Sequence, residues 1–304
     1  MSDLFSDAEE VRGRLDTVGH LVDDGTATAL FLATVLDRPL LVGGEPGVGK
    51  TSLAKALAEA LDTPLIRLQC YEGLTPGEAL YEWNHQRQLL AIRLTEARGG
   101  QLSDADVFTE EFLHDRPLLK AVRHAGPLPP VLLIDEIDRA DDEFEALLFE
   151  FLGEWSITVP ELGTFAAVRP PVVLLTSNRS RELHDALRRR CLYHWIDFPT
   201  PEHAARILRR SVPAASEPLS ASATQFIGGV RRLDLDKAPG MAEAIDWVSA
   251  LAALRVARLT RTDVLGTLST VAKSPDDRVA ITEALDRLDA SGRLLDPPEE
   301  ARRS

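Results

Sequence analysis

The sequence predicts an α/β fold in which a parallel sheet lies between helices, followed by a region made only of helices. Three apolar runs of strand length support this, at 40–42, 131–134 and 172–175, and each leads into polar residues. Runs that are apolar throughout are typical of strands buried on both faces of a parallel sheet. No further such strand is expected after Pro201. We therefore expect an α/β domain over 1–202 and a helical domain over 203–304.

The remaining elements follow from periodicity and from cap, turn and proline signals. In the first part we expect one helix that starts from a cap at Ser6, one over 26–36 and one after Thr51, and then a strand at 65–68. Further along we expect helical stretches over 83–97 and 108–122, the second of which breaks at Pro117. A helix after Asp141 and a hairpin over 155–168 follow. In the second part we expect helices over 202–210, 241–259 and 275–288, with 213–222 flexible and Ser274 as the N-cap of the last helix.

The loop after the first strand fits the phosphate-binding pattern G-x-x-x-x-G-K-[ST] at every fixed position, over Gly44 to Thr51. Its glycines let backbone N–H groups point at phosphate oxygens, and the next helix adds its positive N-terminal end. In this pattern Lys50 reaches the β- and γ-phosphates, and the Thr51 hydroxyl binds Mg²⁺. The residues expected to bind the nucleotide are Gly44, Glu45, Pro46, Gly47, Val48, Gly49, Lys50, Thr51, Ser52 and, from the next motif, Asp135.

Two adjacent carboxylates, Asp135 and Glu136, follow the second apolar run. At the carboxyl end of a strand they point differently, so Asp135 can hold Mg²⁺ through water while Glu136 polarises an attacking water as general base. An aspartate alone would fit a nucleotide switch or a kinase, or a solvated acidic turn. The added glutamate, together with the lysine loop, favours hydrolysis.

The third apolar run ends at Asn178, whose amide can hydrogen-bond a water or a phosphate oxygen. Neither of the two asparagines, Asn84 and Asn178, begins the guanine-reading pattern Asn-Lys-x-Asp. Adenine is therefore the expected base, and ATP with Mg²⁺ the expected cofactors. A basic triplet, 188–190, ends twelve residues after Asn178. Such a triplet by itself is usually a solvated helix end.

The order of these motifs resembles the AAA+ ATPases, over roughly residues 20–205, and among them the MoxR type. The resemblance places Walker A at the lysine loop, Walker B at Asp135 and Glu136, and sensor 1 at Asn178. It also implies a ring of subunits, typically six. In such a ring Arg190, or alternatively Arg189, is the arginine finger that serves the neighbouring subunit's site.

A closer resemblance, to the CoxD-like branch of the MoxR proteins, rests on several segments. These are 66–73, 80–84, 86–90, 176–178 and 181–187. It implies a chaperone-like ATPase with a von Willebrand factor A domain partner, and a metallo-enzyme client matured by the ATPase. The hairpin over 155–168 resembles the pre-sensor hairpin of MoxR-type proteins, the alternative being an ordinary connecting hairpin. One feature departs from the pattern, because the helix starting near Met241 has no early arginine. Arg255 and Arg258 are expected later on that helix.

Composition excludes several classes. A net charge of −14 gives the protein no overall positive potential that would attract nucleic acid. Two cysteines are too few for a disulfide framework. No apolar run has the length of a membrane span, and the acidic N-terminus is unlike a signal peptide, so we expect a cytoplasmic protein. His184, Cys191 and His194 lack a metal-ligand spacing, so any metal centre is expected in the client.

Three function classes fit the motifs. The leading one is an ATP-driven remodeller of a bound protein. A nucleic-acid motor or loader is the alternative, against which the acidic charge argues. A small-molecule kinase is the third, against which Glu136 and the expected trans-acting arginine argue.

Overall fold

The structure, a computed structural model, describes residues 4–287. The chain folds into two compact units. The first comprises the chain through Gly44 together with Lys50–Trp195, and the second comprises Glu45–Gly49 and the chain from Ile196 onward.

The centre of the first unit is a parallel sheet. Its strands and the two small strand pairs beside it are β1 Leu40–Gly44, β2 Leu65–Gln69, β3 Tyr81–Trp83, β4 Leu113–Asp115, β5 Val131–Asp135, β6 Ser156–Val159, β7 Gly163–Ala166, β8 Val172–Ser177 and β9 Leu192–Ile196. The sheet order is β2-β5-β8-β1-β9, and the β2/β5, β5/β8 and β1/β8 pairs are parallel. Every residue of β1, β5 and β8 is buried, which explains their apolar runs and confirms the predicted parallel sheet.

Helices cover this sheet. They are α1 Ala8–Thr17, α2 Asp24–Val35, α3 Lys50–Ala60, α4 Pro76–Ala79, α5 His85–Ala97, α6 Asp104–Val107, α7 Pro117–Val122, α8 Asp142–Glu154 and α9 Asp185–Arg190. The core between strands and helices includes Leu132 from β5, Leu118 from α7, Phe144 from α8 and Leu187 from α9, all buried. Asp141 caps α8, because its side chain accepts a hydrogen bond from the Phe144 N–H at 2.9 Å.

Two predictions about the helices of this unit are wrong. The stretch 108–122 is not helical throughout, because 113–115 pairs antiparallel with 81–83 and only α7 is an α-helix. Cross-strand pairing takes the backbone hydrogen bonds that a helix would have used, and Asn84 instead caps α5. The first helix is capped by Asp7 rather than Ser6, since an aspartate at that position also adds a negative charge beside the helix N-terminus.

The predicted hairpin is confirmed. Strands β6 and β7 pair antiparallel, and the Leu162 N–H closes the turn on the Val159 carbonyl at 3.0 Å. The hydroxyls of Thr158 and Thr164 lie 2.9 Å apart across the pair. Trp155 ends α8 in a left-handed conformation and starts the hairpin.

The second unit is helical from 197 to 287, and no strand occurs in that described range. Its helices are α10 Pro201–Ser211, α11 Glu217–Val230, α12 Met241–Ala253, α13 Arg261–Val271 and α14 Pro275–Ala284. The rings of Phe226 and Trp247 pack at 5.0 Å in its core, and the indole N–H of Trp247 donates to Thr267 Oγ1 at 2.7 Å.

Two expectations about this unit need correction. The segment 213–222 is not flexible throughout, because Ser216 caps α11 and its small residues Ser220 and Ser222 are buried against other helices. Helix α12 ends at Ala253, so both late arginines lie beyond it, not on it. The predicted cap of α14 at Ser274 is confirmed, a 3-10 turn follows over Leu285–Arg287, and residue 288 lies outside the described residues.

No helix in the described range is long and apolar enough to cross a membrane.

Candidate functional site

The lysine of the glycine loop is the first residue of α3 and is buried. Its ammonium donates to the Gly44 carbonyl at 2.6 Å. The loop curls because Gly47 and Gly49 adopt positive φ angles of 80° and 102°. The N-terminal end of α3, where Lys50 lies, is therefore suited to a bound phosphate.

Asp135 ends β5 and its carboxylate is buried. The hydroxyl of Thr51, from α3, lies 3.1 Å from Asp135 Oδ1 and 3.2 Å from Oδ2. Thr176, from β8, donates to Oδ1 at 2.6 Å. The fold thus brings together the hydroxyl and the carboxylate that the sequence assigned to Mg²⁺. Oxygen donors of this kind fit that cation, so the residues present suit it.

Glu136 adopts a left-handed backbone conformation with φ of 57°, which turns its side chain away from that of Asp135. Its carboxylate accepts a hydrogen bond from Gln69 Nε2 at 3.2 Å and pairs with Arg139 Nε at 3.0 Å. Its N–H donates to the Thr176 hydroxyl at 2.9 Å. The two adjacent carboxylates therefore have separate surroundings, as separate roles require.

Asn178 directly follows β8, and a buried aspartate fixes the loop it begins. Asp138 Oδ1 accepts from the Asn178 N–H at 3.2 Å, and Oδ2 accepts from the Ser180 N–H at 2.9 Å and the Ser180 hydroxyl at 2.5 Å. Burial raises the pKa of Asp138, but these hydrogen bonds outweigh it, so the pKa lies below its ordinary value of 3.8. Asp138 thus ties the loop of Asn178 to the segment that carries Glu136.

The arginine triplet ends α9. Arg190 contacts the chain's own helix α8, because its Nη1 donates to the Phe149 carbonyl at 2.5 Å and its guanidinium lies 4.1 Å from the Phe149 ring centroid. The side chain of Arg189 is exposed. Arg38, just before β1, donates to the carbonyls of all three residues that close α9, at 2.6 Å to Arg189, 3.1 Å to Arg190 and 3.3 Å to Cys191.

Residues 45–49 of the glycine loop contact α12 inside the second unit. The Met241 N–H donates to the Gly47 carbonyl at 2.9 Å, and a Cβ placed on Gly240 would lie 2.6 Å from the α-carbon of Gly47. Arg231, at the end of α11, pairs with Glu45. Glycine at both positions permits this backbone approach.

Sequence reasoning missed several of these polar partners. Arg67 and Gln69 alternate with apolar residues on β2, and the strand register places Gln69 beside Asp135. That alternation, next to the Asp-Glu strand, was a usable signal for both. Arg231 had no comparable signal, because the helix before it, α11, was not predicted.

The possible metal ligands take other roles. His184 Nε2 lies 3.2 Å from Asp142 Oδ1, and His194 Nε2 lies 2.9 Å from Thr26 Oγ1. Cys191 is buried, and burial raises its thiol pKa to about 12. No cluster of three or more His, Cys, Asp or Glu side chains suited to a metal occurs within 4–287.

The sequence profile of the AAA domain family, dynein-related subfamily, matches residues 39–191, just over half of the chain. The chain belongs to this family and is an AAA+ ATPase. Members of the family generally assemble as oligomeric rings.

Individual known proteins are similar to this chain at low sequence identity. Protein NorQ of Paracoccus denitrificans, a MoxR-type AAA+ ATPase, is 24% identical over 205 residues, which cover 65% of this chain and 67% of NorQ. A Lon protease of Halothermothrix orenii is 29% identical over 147 residues, covering 45% of this chain and 16% of the protease. Among solved structures, a mutant of Thermotoga maritima RuvB aligns with a TM-score of 0.46 and 19% identity, covering 96% of this chain and 74% of that one.

Proposed function

We propose that this chain is a cytoplasmic, MoxR-type AAA+ chaperone-like protein of the CoxD-like branch, which hydrolyses ATP to remodel or mature a client protein complex. One observation carries the ATPase part. The Thr51 hydroxyl and the Asp135 carboxylate meet at 3.1 Å, on an α/β unit that also holds Lys50 at the start of α3 and Glu136 at the end of β5. We retain the division into a nucleotide-binding domain over 1–202 and a helical lid over 203–304.

Each residue has a role in this proposal. Lys50 and the loop N–H groups bind the β- and γ-phosphates, while Thr51 and Asp135 hold Mg²⁺. When bound, Mg²⁺ neutralises charge that develops on the phosphates. Glu136 accepts a proton from the attacking water, and Asn178 orients that water or the γ-phosphate.

The variants Lys50→Ala and Glu136→Gln test this chemistry. Lys50→Ala removes the ammonium that contacts the phosphates, so it should lose ATP affinity. Glu136→Gln keeps the shape but not the base, so it should bind ATP and hardly hydrolyse it. Titration calorimetry and phosphate release measure the two quantities. Equal loss of binding in both variants would contradict the assigned roles.

In this proposal a neighbouring subunit of the ring supplies an arginine finger, a positive charge beside the transferred phosphate. Such a finger contributes roughly 10³ to 10⁵ in rate in other systems. Arg190 was the first candidate, but its guanidinium already contacts Phe149, whereas the side chain of Arg189 is exposed. These contacts favour Arg189. Separate alanine variants decide between them, because the finger variant should bind ATP normally and hydrolyse it slowly at concentrations where rings form.

The hairpin over 155–168 is the proposed contact with a client or with a von Willebrand factor A domain partner. It joins α8, the helix that follows Glu136, to β8, the strand that leads to Asn178. Its tip carries an exposed Glu161 and a partly exposed Leu162. Serine at both positions should leave ATP hydrolysis intact and abolish client activation in a reconstituted assay. A metallo-enzyme is the client class we propose to test first.

A further inference from the structure

An arginine that the proposed chemistry does not use binds the same carboxylate as the expected cation. Arg67 of β2 places its Nη2 at 2.6 Å and its Nε at 3.1 Å from Asp135 Oδ2. The carboxylate is almost fully buried, whereas the arginine side chain is 46% exposed. A forked, charge-assisted contact to a buried carboxylate is among the stronger polar interactions in proteins.

The two oxygens of Asp135 have different surroundings. Oδ1 accepts a short hydrogen bond of 2.6 Å from the Thr176 hydroxyl, deep in the sheet. Oδ2 faces Arg67 and lies 3.2 Å from the hydroxyl of Thr51, the other residue assigned to Mg²⁺. The guanidinium and a cation held between Thr51 and Asp135 would therefore lie side by side around Oδ2, where they repel each other.

We propose that Arg67 competes with the divalent cation for Asp135. The guanidinium neutralises the buried carboxylate until Mg²⁺ arrives with the nucleotide, and then gives way to it. This inference rests on the assignment of Asp135 in the proposed function. Arg67 has a second acceptor to move toward, because its Nη2 also donates to Gln69 Oε1 at 2.5 Å. Its long, exposed side chain permits that movement.

If the pair of Arg67 and Asp135 were only structural, the loss of Arg67 would shift the required Mg²⁺ concentration in the opposite direction. If Arg67 only orients Asp135 for the cation, its loss misplaces a ligand, and more Mg²⁺ is needed for the same binding. If Arg67 competes, its loss removes a rival positive charge, and less Mg²⁺ is needed. The direction of the shift therefore separates the two roles without any measurement of turnover.

The experiment measures binding of a non-hydrolysable ATP analogue to the full chain by titration calorimetry, across a series of free Mg²⁺ concentrations. Arg67→Gln should lower the Mg²⁺ concentration that gives half-maximal affinity by about tenfold, the size expected for one charge-assisted pair. Arg209→Gln is the matched control, because Arg209 is 45% exposed and pairs with Glu217 of α11 at 2.7 Å, and neither residue has a role in the proposed site. It should leave the midpoint unchanged.

An unchanged or higher midpoint in Arg67→Gln, with a Mg²⁺-dependent wild-type chain, overturns the competition and leaves the proposed function intact. A wild-type chain whose binding ignores Mg²⁺ overturns the assignment of Asp135 and this inference with it. If Arg67→Gln does not fold, Arg67→Lys decides, because lysine keeps the charge but cannot make the forked contact. It should shift the midpoint in the same direction by a smaller factor, and an unchanged midpoint contradicts the proposal.

Discussion

Asparagine in place of Asp138 tests whether this carboxylate fixes the loop that carries Asn178. In the native chain Oδ2 accepts two hydrogen bonds from Ser180, one from its N–H at 2.9 Å and one from its hydroxyl at 2.5 Å. The NH₂ group that replaces one oxygen accepts no hydrogen bond, although the Ser180 hydroxyl can reverse its role and accept from it. Either the Ser180 N–H or, if the amide turns round, the Asn178 N–H is left without an acceptor in a buried place, for which we expect a loss of about 1 to 3 kcal/mol in the free energy of unfolding.

A matched control exists on the surface. Asp106 accepts the same pair of hydrogen bonds from Ser103, at 2.9 Å from the N–H and 2.6 Å from the hydroxyl, but it is fully exposed. Asp106→Asn should cause no measurable change in stability. Urea denaturation of both variants and the wild-type chain gives the comparison. Equal effects at the two sites would refute the argument that burial of Asp138 makes its hydrogen bonds important.

The pKa of Asp138 gives the same prediction a pH dependence. Because the folded chain holds this pKa below 3.8, the stabilisation is fully present above that value and is lost as the pH falls through the lower, folded pKa. The stability difference between wild type and Asp138→Asn should thus be constant near neutral pH and shrink in acid. ATP affinity should stay within about twofold while hydrolysis slows about tenfold, since the variant displaces Asn178 rather than the phosphate-binding residues.

Further predictions concern other contacts of the site. Gln69→Ala frees Glu136, the proposed general base, from one hydrogen bond of 3.2 Å, so basal ATP hydrolysis should rise about threefold to tenfold in a phosphate-release assay. A fall would show that the contact aids catalysis. Gly240→Ala puts a Cβ 2.6 Å from the backbone of the glycine loop, so the free energy of unfolding should fall by about 1 to 3 kcal/mol, measured by thermal denaturation. Gly266→Ala is the control, because Gly266 has open space around it, and it should not destabilise the protein. Burial raises the pKa of both thiols, Cys70 and Cys191, to about 12. At neutral pH they should therefore react with an aromatic disulfide reagent at least about a hundredfold more slowly than free cysteine does. Rapid labelling would contradict this.

The sequence predicted the parallel sheet and the loops at its carboxyl edge because those strands are buried on both faces, which leaves an unambiguous apolar run. It did not predict β3 and β4, whose three-residue strands are half exposed and pair across a gap of some thirty residues. It also missed α11, where small side chains such as Ser220 indicate flexibility in the sequence but are buried in the fold. Local patterns report burial on one element, and these features depend on neighbours distant in sequence.

The same limit applies within the site. The pattern around Lys50 and Asp135 is a spacing in the sequence, so both were found before the fold was known. The partners of these residues come from other strands and helices. Arg67 reaches Asp135 only because β2 lies beside β5, and Arg139 reaches Glu136 only because the chain turns through a 3-10 helix.

The contacts of Arg38 have a consequence for how the subunit would transmit force. A single guanidinium binds the three carbonyls that close α9, and the same residue lies two positions before β1, the strand that leads into the glycine loop. Arg38 therefore connects the C-terminal end of α9 to the segment just before β1. A lysine at this position would keep the charge but not the planar fork that spans several acceptors. The connection between α9 and β1 would then be less rigid than with arginine.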